Sequence, residues 1–224
     1  MNNHSSSLAF GDTVGEDGVW MQSLNPAQGF GLRPTLFLDR DGVILIETHY
    51  LHTVEKTQLI VGALETIRRA NSLGLPVVIV TNQSGIGRGI YGWVEFSAVQ
   101  EKMLNDLTEG DAYINAVMAC PFHAEAQPPW NVGDHPDRKP NPGMLLRAER
   151  ILPVDFSLSW IIGDRASDIE AGKLAGLEGG MHVLSGHGSH TGQRANALCS
   201  ACDTFTVLES DSIAEAVNKL AFLS

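Results

Sequence analysis

Short apolar runs alternate with longer amphipathic segments along most of this chain. The apolar runs, several of them rich in β-branched residues, predict strands at residues 35–38, 75–80, 113–119, 159–162, 181–184 and 205–208. The amphipathic segments predict helices at residues 61–72, 94–107 and 144–151, near residue 168, and at residues 212–220. In the first of these helices, Ala63, Leu64, Ile67 and Ala70 share one face. Strands that alternate with helices are typical of an α/β fold with a doubly wound parallel sheet.

Residues 1–33 differ from the rest of the chain. They are rich in Gly, Ser and Asn, contain few cations and show no sustained hydrophobic period. We therefore expect an N-terminal extension, either a disordered tail or a segment anchored to the domain through Phe10, Trp20 or Phe30. The predicted domain then covers residues 34–224, a length that suits one domain with an ample core.

The balance of charges narrows the class of partner. The net charge of −11 argues against binding to a nucleic-acid backbone, which depends on clustered Lys and Arg. It leaves a small phosphorylated metabolite open, because a few local cations and a metal ion suffice to bind one. No apolar run approaches the length of a membrane span, and the N-terminus lacks the pattern of a secretory signal. The three cysteines are typical of a reducing cytoplasm, and we expect a cytoplasmic monomer.

Two carboxylates follow the first predicted strand of the domain. Asp39 and Asp41 lie two residues apart and Gly42 comes next, so we expect the backbone to turn at the carboxyl end of that strand. Ligands bind at this edge in open α/β sheets. If buried, carboxylates this close repel each other and call for a divalent cation, a shared proton or both. The alternative is a pair of surface acids in a loop.

Further polar groups follow two other predicted strands or precede a predicted helix. They are Thr81, Asn82, Gln83 and Ser84, then Arg138 and Lys139, then Asp164, Arg165 and Asp168. Hydroxyl and amide groups directly after a buried strand can bind phosphate oxygens. Because the carboxyl ends of parallel strands meet at one edge of a sheet, we expect all of these groups to line one site.

With its motifs in this order, the chain resembles the haloacid dehalogenase-like (HAD-like) hydrolase superfamily. The acidic pair, the segment at Thr81, Lys139 and the acids at positions 164 and 168 each fall where that family has them. The segments Asp-Arg-Asp-Gly, Thr-Asn-Gln-Ser-Gly-Ile-Gly-Arg-Gly and Arg-Lys-Pro-Asn-Pro-Gly-Met look most like those of the D,D-heptose bisphosphate phosphatases. The histidinol-phosphate phosphatases share much of this pattern. The resemblance therefore implies a Rossmann-like fold and a phosphatase that depends on Mg²⁺.

The implied substrate is a small phosphorylated metabolite. A sugar bisphosphate such as D-glycero-D-manno-heptose 1,7-bisphosphate, which would lose its 7-phosphate, is favoured. Histidinol phosphate or another small phosphate ester is the alternative within the same mechanism. A phosphate-binding protein without turnover is disfavoured, because a binder has no use for the second acid, Asp41.

The resemblance also implies a role for each group. Asp39 is the nucleophile and Asp41 the general acid and base, while the Asp39 carboxylate, the Asp41 carbonyl and Asp164 bind Mg²⁺. Asp168 either orients the metal shell or starts a helix. Phosphate and substrate binding fall to Thr81, Asn82, Gln83, Ser84, Arg138, Lys139 and Arg165.

The loop after the acidic pair helps hold the sugar in this family. Here it contains Glu47, His49 and Tyr50 as candidate binding residues. The chain has Val43 where the family usually has threonine, and Leu45 where it usually has asparagine. Neither the interval from Asp41 to the second strand nor that from residue 84 to residue 138 has room for a separate cap domain. We therefore expect an open site whose specificity depends on short loops.

A structural zinc loop of the relatives is altered here. They carry Cys-x-His and then Cys-x-Cys before Arg-Lys-Pro, whereas this chain offers Cys120, His123, His135 and Asp137. All four are permitted zinc ligands, but harder ligands in place of thiolates weaken such a site. The alternative, which we favour, is a loop held by packing.

Overall fold

A single seven-stranded sheet forms the centre of the protein. The computed structural model describes residues 14–25 and 31–224. Its strands are β1 (Trp20–Ser23), β2 (Leu36–Leu38), β3 (Val77–Asn82), β4 (Ala116–Cys120), β5 (Trp160–Gly163), β6 (Gly179–Val183) and β7 (Thr206–Ser210). Their order in the sheet is β1-β4-β3-β2-β5-β6-β7. All neighbouring strands are parallel except β1, which pairs antiparallel with β4.

In the described ranges, seven α-helices connect and cover these strands. They are α1 (Ala63–Ser72), α2 (Ser84–Gly87), α3 (Trp93–Glu109), α4 (Gly143–Arg147), α5 (Ala166–Leu174), α6 (Gln193–Leu198) and α7 (Ala216–Lys219). α1 buries Ala63, Thr66, Ile67 and Ala70 on one face, as its hydrophobic spacing predicts. α4 is shorter than the predicted helix at 144–151, because its last turn tightens into a 3₁₀ helix at Ala148–Arg150. Pro153 follows closely and disfavours further helix.

Helices cover both faces of the sheet. Leu36 and Leu38 of β2 pack into one core with Ile67 of α1 and Phe96 of α3. Phe37, which points the other way, packs into a second core that includes Met144 of α4 and Ile169 of α5. Two filled cores on opposite faces confirm the predicted doubly wound α/β fold.

The order of the strands in the sheet predicts where a ligand binds. From β2 the chain passes through β3 and β4 on one side, then returns to β5, β6 and β7 on the other. The strand order therefore reverses next to β2, and ligands in such sheets bind beyond the carboxyl ends of the strands at this switch point. Among the described residues, the intervals before β3 and before α4 contain only the helices, strands and loops of this one unit, so no cap domain covers that edge.

Part of the predicted N-terminal extension belongs to the sheet. Residues 20–23 form the edge strand β1, and the Trp20 ring packs against Trp93 and Phe96 of α3, with centroids 5.4 and 5.2 Å away. Four residues are too few to show a hydrophobic period, so the sequence suggested an anchor but no strand. Phe10 and Phe30, the other suggested anchors, lie outside the described residues.

None of the helices in the described ranges combines the length and the apolar character that crossing a bilayer requires.

Candidate active site

A pocket opens at the carboxyl edge of the sheet, beyond β2, β3 and β5. It brings together groups from five separate parts of the chain. Its lining consists of Asp39, Asp41, Glu47, His49, Tyr50, Leu51, Thr81, Asn82, Gln83, Ser84, Tyr91, Lys139, Arg165, Asp168 and His187. Most of the residues that the sequence predicts for the site are therefore found together, as the edge rule for parallel sheets requires.

Asp39 is fixed at the end of β2. Its backbone N–H donates to the carbonyl of Ile162 in β5 at 3.0 Å, which continues the ladder one residue past the strand. Its Oδ1 accepts from the Arg40 N–H at 2.8 Å and lies 3.1 Å from Lys139 Nζ. The side chain is mostly buried yet lines the pocket, so one carboxylate oxygen faces the space where a ligand would bind.

Lys139 supplies a buried cation beside Asp39. Its ammonium group donates to the Val80 carbonyl at 2.7 Å and pairs with Asp168 at 2.7 Å. Burial alone would lower the pKa of Lys139, but the Asp168 and Asp39 carboxylates outweigh it and raise the pKa above its usual value. Lys139 is therefore charged throughout the physiological pH range.

Three buried carboxylates meet next to this lysine. Oxygens of Asp39, Asp164 and Asp168 all lie within 4.8 Å of one another. Burial raises the pKa of Asp164, and the charges of Asp39 and Asp168 raise it further. Its Oδ2 accepts from the His187 N–H at 2.7 Å, while its Oδ1 is buried without a partner among the described residues. Three like charges and an unused acceptor fit a divalent cation with oxygen ligands.

Two glycines make room for the Asp164 carboxylate. Gly42 and Gly186 both have φ in the left-handed region, at +85° and +58°. A Cβ atom on either would lie 2.3 Å from Asp164 Oδ2. Only glycine allows both the backbone conformation and the close approach of this carboxylate.

Asp168 starts a helix, as one of the two alternatives from the sequence predicts, and it also contacts Lys139. Its Oδ2 accepts from the Arg165 N–H at 2.9 Å and so caps the N-terminus of α5. Its Oδ1 pairs with Lys139, and the same carboxylate belongs to the acidic cluster. Asp168 thus connects the start of α5 to the charges of the site.

Asp41 also lines this pocket. Its Oδ2 accepts from Arg40 Nη2 at 2.9 Å and from Gln83 Nε2 at 2.8 Å. Its Oδ1 accepts from Arg40 Nε at 3.1 Å and from no other group of the described residues. The side chain of Asp41 is 17% exposed, so the carboxylate is anchored from below and open to the pocket.

Asn82, the last residue of β3, and Gln83, the residue after it, use most of their hydrogen-bonding groups within the protein. Asn82 was predicted to bind phosphate, but its amide pairs with both the N–H and the carbonyl of Lys139, at 3.1 and 3.0 Å. Gln83 was also predicted to bind substrate, but its amide is used by Asp41, Thr81 and Tyr91. The hydrogen-bonding groups of these two side chains are largely used within the protein, and substrate binding by them stays a prediction.

Thr81 and Ser84 keep donors for a ligand. Gln83 Nε2 donates to Thr81 Oγ1 at 2.8 Å, which leaves the hydroxyl proton of Thr81 free to donate. Ser84, the first residue of α2, also lines the pocket.

The predicted sugar-binding loop does reach the pocket. Glu47, His49 and Tyr50 all line it, and Glu47 accepts from the His49 N–H at 2.5 Å. Burial raises the pKa of Glu47, and the charge of Asp41 adds to that effect. His49 and Tyr50 have φ of +62° and +63°, a left-handed conformation that costs energy for residues other than glycine.

The two arginines predicted to bind substrate lie in different places. Arg165 lines the pocket, whereas Arg138 lies outside it and donates from Nη1 to the Phe122 carbonyl at 2.8 Å. That Arg138 contacts substrate therefore stays a prediction, and its place outside the pocket lining does not support it. Its side chain turns toward the neighbouring loop, which takes up one of its donors.

Three site residues were missed from the sequence. Arg40 lies between Asp39 and Asp41 in the sequence, and a cation next to two carboxylates could have been predicted to pair with one of them. His187 comes four residues after β6 ends, so the edge rule applied to that strand would have included it. Tyr91, in the turn before α3, gave no signal in the sequence.

The altered zinc loop is held by contacts among its own residues. The rings of Phe122 and His135 stack in parallel with centroids 3.7 Å apart. Both oxygens of Asp137 accept from Arg147, at 2.5 and 2.6 Å. Burial raises the pKa of the Cys120 thiol to about 12, so the thiol is protonated. The Asp137 carboxylate is paired with Arg147 and the Cys120 thiol is protonated, so a zinc ion would have to displace both the arginine and a proton.

We expect the loop to be stable without zinc. Protein purified without added zinc should contain well under one zinc per chain, and EDTA should leave its unfolding temperature unchanged. Arg147→Met should lower the free energy of unfolding by ~3 kcal/mol, because the largely buried Asp137 loses its counter-ion. Arg150→Met, at an exposed position three residues on, is the matched control. Stoichiometric zinc, lost in Cys120→Ala together with thermal stability, would contradict this expectation.

Comparison with known proteins gives consistent matches. A family model described as HAD-hydrolase-like matches residues 122–209. The chain is 44% identical over 168 residues to the D-glycero-beta-D-manno-heptose-1,7-bisphosphate 7-phosphatase of Mesorhizobium japonicum. That match covers 75% of this chain and 77% of the relative.

Solved structures extend the likeness to the fold. A HAD-like phosphatase from Mesorhizobium loti gives a TM-score of 0.82 at 37% identity, over 94% of this chain and 95% of that chain. The D,D-heptose 1,7-bisphosphate phosphatase of B. bronchiseptica, solved with magnesium and phosphate, gives a TM-score of 0.67 at 24% identity. The second match covers 84% of this chain and 97% of that chain, and supports the fold alone.

Proposed function

This chain belongs to the haloacid dehalogenase-like hydrolase family, and we propose that it is a Mg²⁺-dependent phosphatase of a sugar bisphosphate. The observation that carries the proposal is the placement of Asp39 beside Lys139 and the acidic cluster, with Asp41 lining the same pocket. D-glycero-D-manno-heptose 1,7-bisphosphate, losing its 7-phosphate, is the favoured substrate because the relative from M. japonicum is named for it.

Asp39 and Asp41 divide the chemistry between them. The Asp39 carboxylate attacks phosphorus, the bond from phosphorus to the ester oxygen breaks, and Asp41 gives its proton to the departing alkoxide. This leaves a phosphorylated Asp39 and an ionised Asp41. Asp41 then takes a proton from a water that attacks the same phosphorus, which frees phosphate and restores both carboxyl groups.

The remaining groups of the site hold the phosphoryl group and offset its charge. Lys139 neutralises negative charge on Asp39 and on the phosphoryl oxygens, and the Thr81 hydroxyl donates to one of those oxygens. Asp39, Asp164 and the Asp41 carbonyl would hold Mg²⁺, with Asp168 close by. When bound, Mg²⁺ would stabilise the charge on the phosphoryl group.

Specificity would come from the rim of the pocket. Arg165 and the loop with Glu47, His49 and Tyr50 line the side that a substrate's sugar and second phosphate would approach. An open pocket cannot exclude large substrates by enclosure, so these groups must select by attraction. We also propose a cytoplasmic monomer in which residues 34–224 form the phosphatase domain and residues 1–33 an N-terminal extension, whose residues 20–23 join the domain's sheet.

A substrate panel tests the proposed function. We expect the highest kcat/KM with a heptose 1,7-bisphosphate, lower values with sugar monophosphates and histidinol phosphate, and no turnover with EDTA present. Magnesium added back should restore activity. Tight binding of the bisphosphate without release of phosphate would instead identify a non-catalytic binder. Higher kcat/KM with histidinol phosphate would move the substrate to that alternative.

Arg165→Ala should reduce the preference for the bisphosphate. Arg165 is the arginine that lines the pocket, and loss of a charged hydrogen bond to the second phosphate should lower the bisphosphate's kcat/KM by roughly tenfold. The monophosphate should be nearly unaffected, and Arg68→Ala, at an exposed position on α1, should change neither. A larger effect in Arg138→Ala than in Arg165→Ala would restore the sequence-based assignment.

A further inference from the structure

Two side chains donate hydrogen bonds to the Asp41 carboxylate, and a third donates to one of those two. Arg40 Nε and Nη2 both donate to its carboxylate, and Gln83 Nε2 donates to Oδ2 at 2.8 Å. The Tyr91 hydroxyl donates to Gln83 Oε1 from the other side. We refer to Arg40, Gln83 and Tyr91 as the Asp41 clasp.

Arg40 is an unusual residue to bury for packing alone. Its side chain is 0% exposed, its guanidinium lies 4.9 Å from the centre of the Phe96 ring, and its Nη1 has no partner among the described residues. Burial of a charge costs several kcal/mol unless a partner compensates it, and an apolar side chain of similar size would often be more stable there. Asp41 accepts the hydrogen bonds of this guanidinium at the pocket, so its burial is explained by that partner.

Tyr91 determines which way the Gln83 amide faces. Because the phenol donates to Oε1, the two N–H groups of Nε2 point to Asp41 Oδ2 and to Thr81 Oγ1. The reverse orientation would place Oε1 against the Asp41 carboxylate, where two acceptors repel. One buried amide thus orients both Asp41 and Thr81.

The two carboxylate oxygens of Asp41 accept different numbers of hydrogen bonds from the clasp. Oδ2 accepts from Nη2 at 2.9 Å and from Gln83 at 2.8 Å, whereas Oδ1 has a single contact at 3.1 Å. Oδ1 is therefore the carboxylate oxygen with fewer contacts among the described residues. We propose that Arg40, Gln83 and Tyr91 are positioning residues that anchor Asp41 through Oδ2 and present Oδ1 for both proton transfers. The inference rests on the proposed function, in which Asp41 is the general acid and base.

Substitutions in the clasp should act through Asp41. Tyr91→Phe removes one hydroxyl, and Arg40→Met removes the charge while keeping much of the length. Each variant is assayed with an alkyl phosphate, a poor leaving group, and with 4-nitrophenyl phosphate, a good one. We expect Tyr91→Phe to lower kcat on the alkyl phosphate roughly tenfold, with a much smaller loss on the aryl phosphate and little change in KM. Tyr113→Phe, at an exposed position, is the matched control.

The same substitutions in Asp41→Asn separate positioning from other roles. If Tyr91 acts through Asp41, the roughly tenfold loss that Tyr91→Phe causes on the alkyl phosphate should disappear in the Asp41→Asn protein, measured with single turnover. An equal loss on both substrates, or a full loss in the Asp41→Asn background, would overturn the clasp. Should Arg40→Met fail to fold, Tyr91→Phe alone decides the result.

The outcomes also distinguish the clasp from the proposed function. Suppose that Asp41→Asn loses far more activity on the alkyl than on the aryl phosphate, while Tyr91→Phe keeps full activity on both. This result overturns the clasp and leaves the proposed function in place. Asp41→Asn with equal losses on both substrates overturns the acid role, and the clasp with it.

Discussion

Asp39→Asn is expected to abolish phosphatase activity while leaving the fold in place. The covalent step requires a carboxylate oxygen that can attack phosphorus, and an amide oxygen is too weak a nucleophile to replace it. The loss in kcat should be on the order of 10⁴-fold or more, as for the removal of other covalent nucleophiles. Asn has nearly the same shape as Asp, so it still fits beside Lys139 and the Arg40 N–H.

Two measurements show whether this loss is chemical. Circular dichroism and the unfolding temperature should stay close to those of the unchanged protein, and radiolabelled phosphate should no longer be trapped on the chain. Asp111→Asn is the matched control, because Asp111 is exposed and asparagine tolerates its φ of +59°. A folded Asp39→Asn protein with a tenth of the original activity would assign the nucleophile to another group.

The fold was largely predictable because the buried strands carry their own signal. β3 and β5 are apolar runs that end in polar groups, and both were located to within two residues. β1 was not predicted as a strand, because its pairing with β4 and the packing of Trp20 on α3 are contacts between distant parts of the chain. Such contacts are decided by the folded structure rather than by local pattern.

The site was predictable in position and less so in detail. The edge rule brought Asp39, Asp41, Lys139 and Asp164 to one region, because it depends only on where strands end. What each polar side chain binds depends on neighbours that no spacing reveals. Asn82 is therefore used by the Lys139 backbone, and Arg138 turns to the carbonyl of Phe122.

The contacts within the altered zinc loop could not be predicted from the sequence either. The sequence reveals that thiolate ligands are missing, but not what replaces them. In the structure this loop contains an ion pair between Asp137 and Arg147 and a ring stack between Phe122 and His135. Arg147 lies ten residues from Asp137 and on α4, so only the fold brings the pair together.

Asp41→Asn is expected to slow hydrolysis most for substrates whose leaving group needs a proton. An alkoxide leaving from a sugar is strongly basic, so removal of the general acid should reduce its kcat by about 10²–10⁴-fold. A nitrophenolate leaves without a proton, so the first step on an aryl phosphate should be much less affected. The second step still requires a base, which makes single-turnover measurement of the first step the decisive assay.

The folded structure adds a stability effect that an acid role alone does not predict. In Asp41→Asn the buried guanidinium of Arg40 loses its anionic partner, so the unfolding temperature should fall as well. Combining Asp41→Asn with Arg40→Met should recover part of that stability without any activity on alkyl phosphates. Asp111→Asn again serves as the control for both readouts. Equal losses on alkyl and aryl phosphates in the single-turnover assay would mean that Asp41 supports the site without transferring the proton.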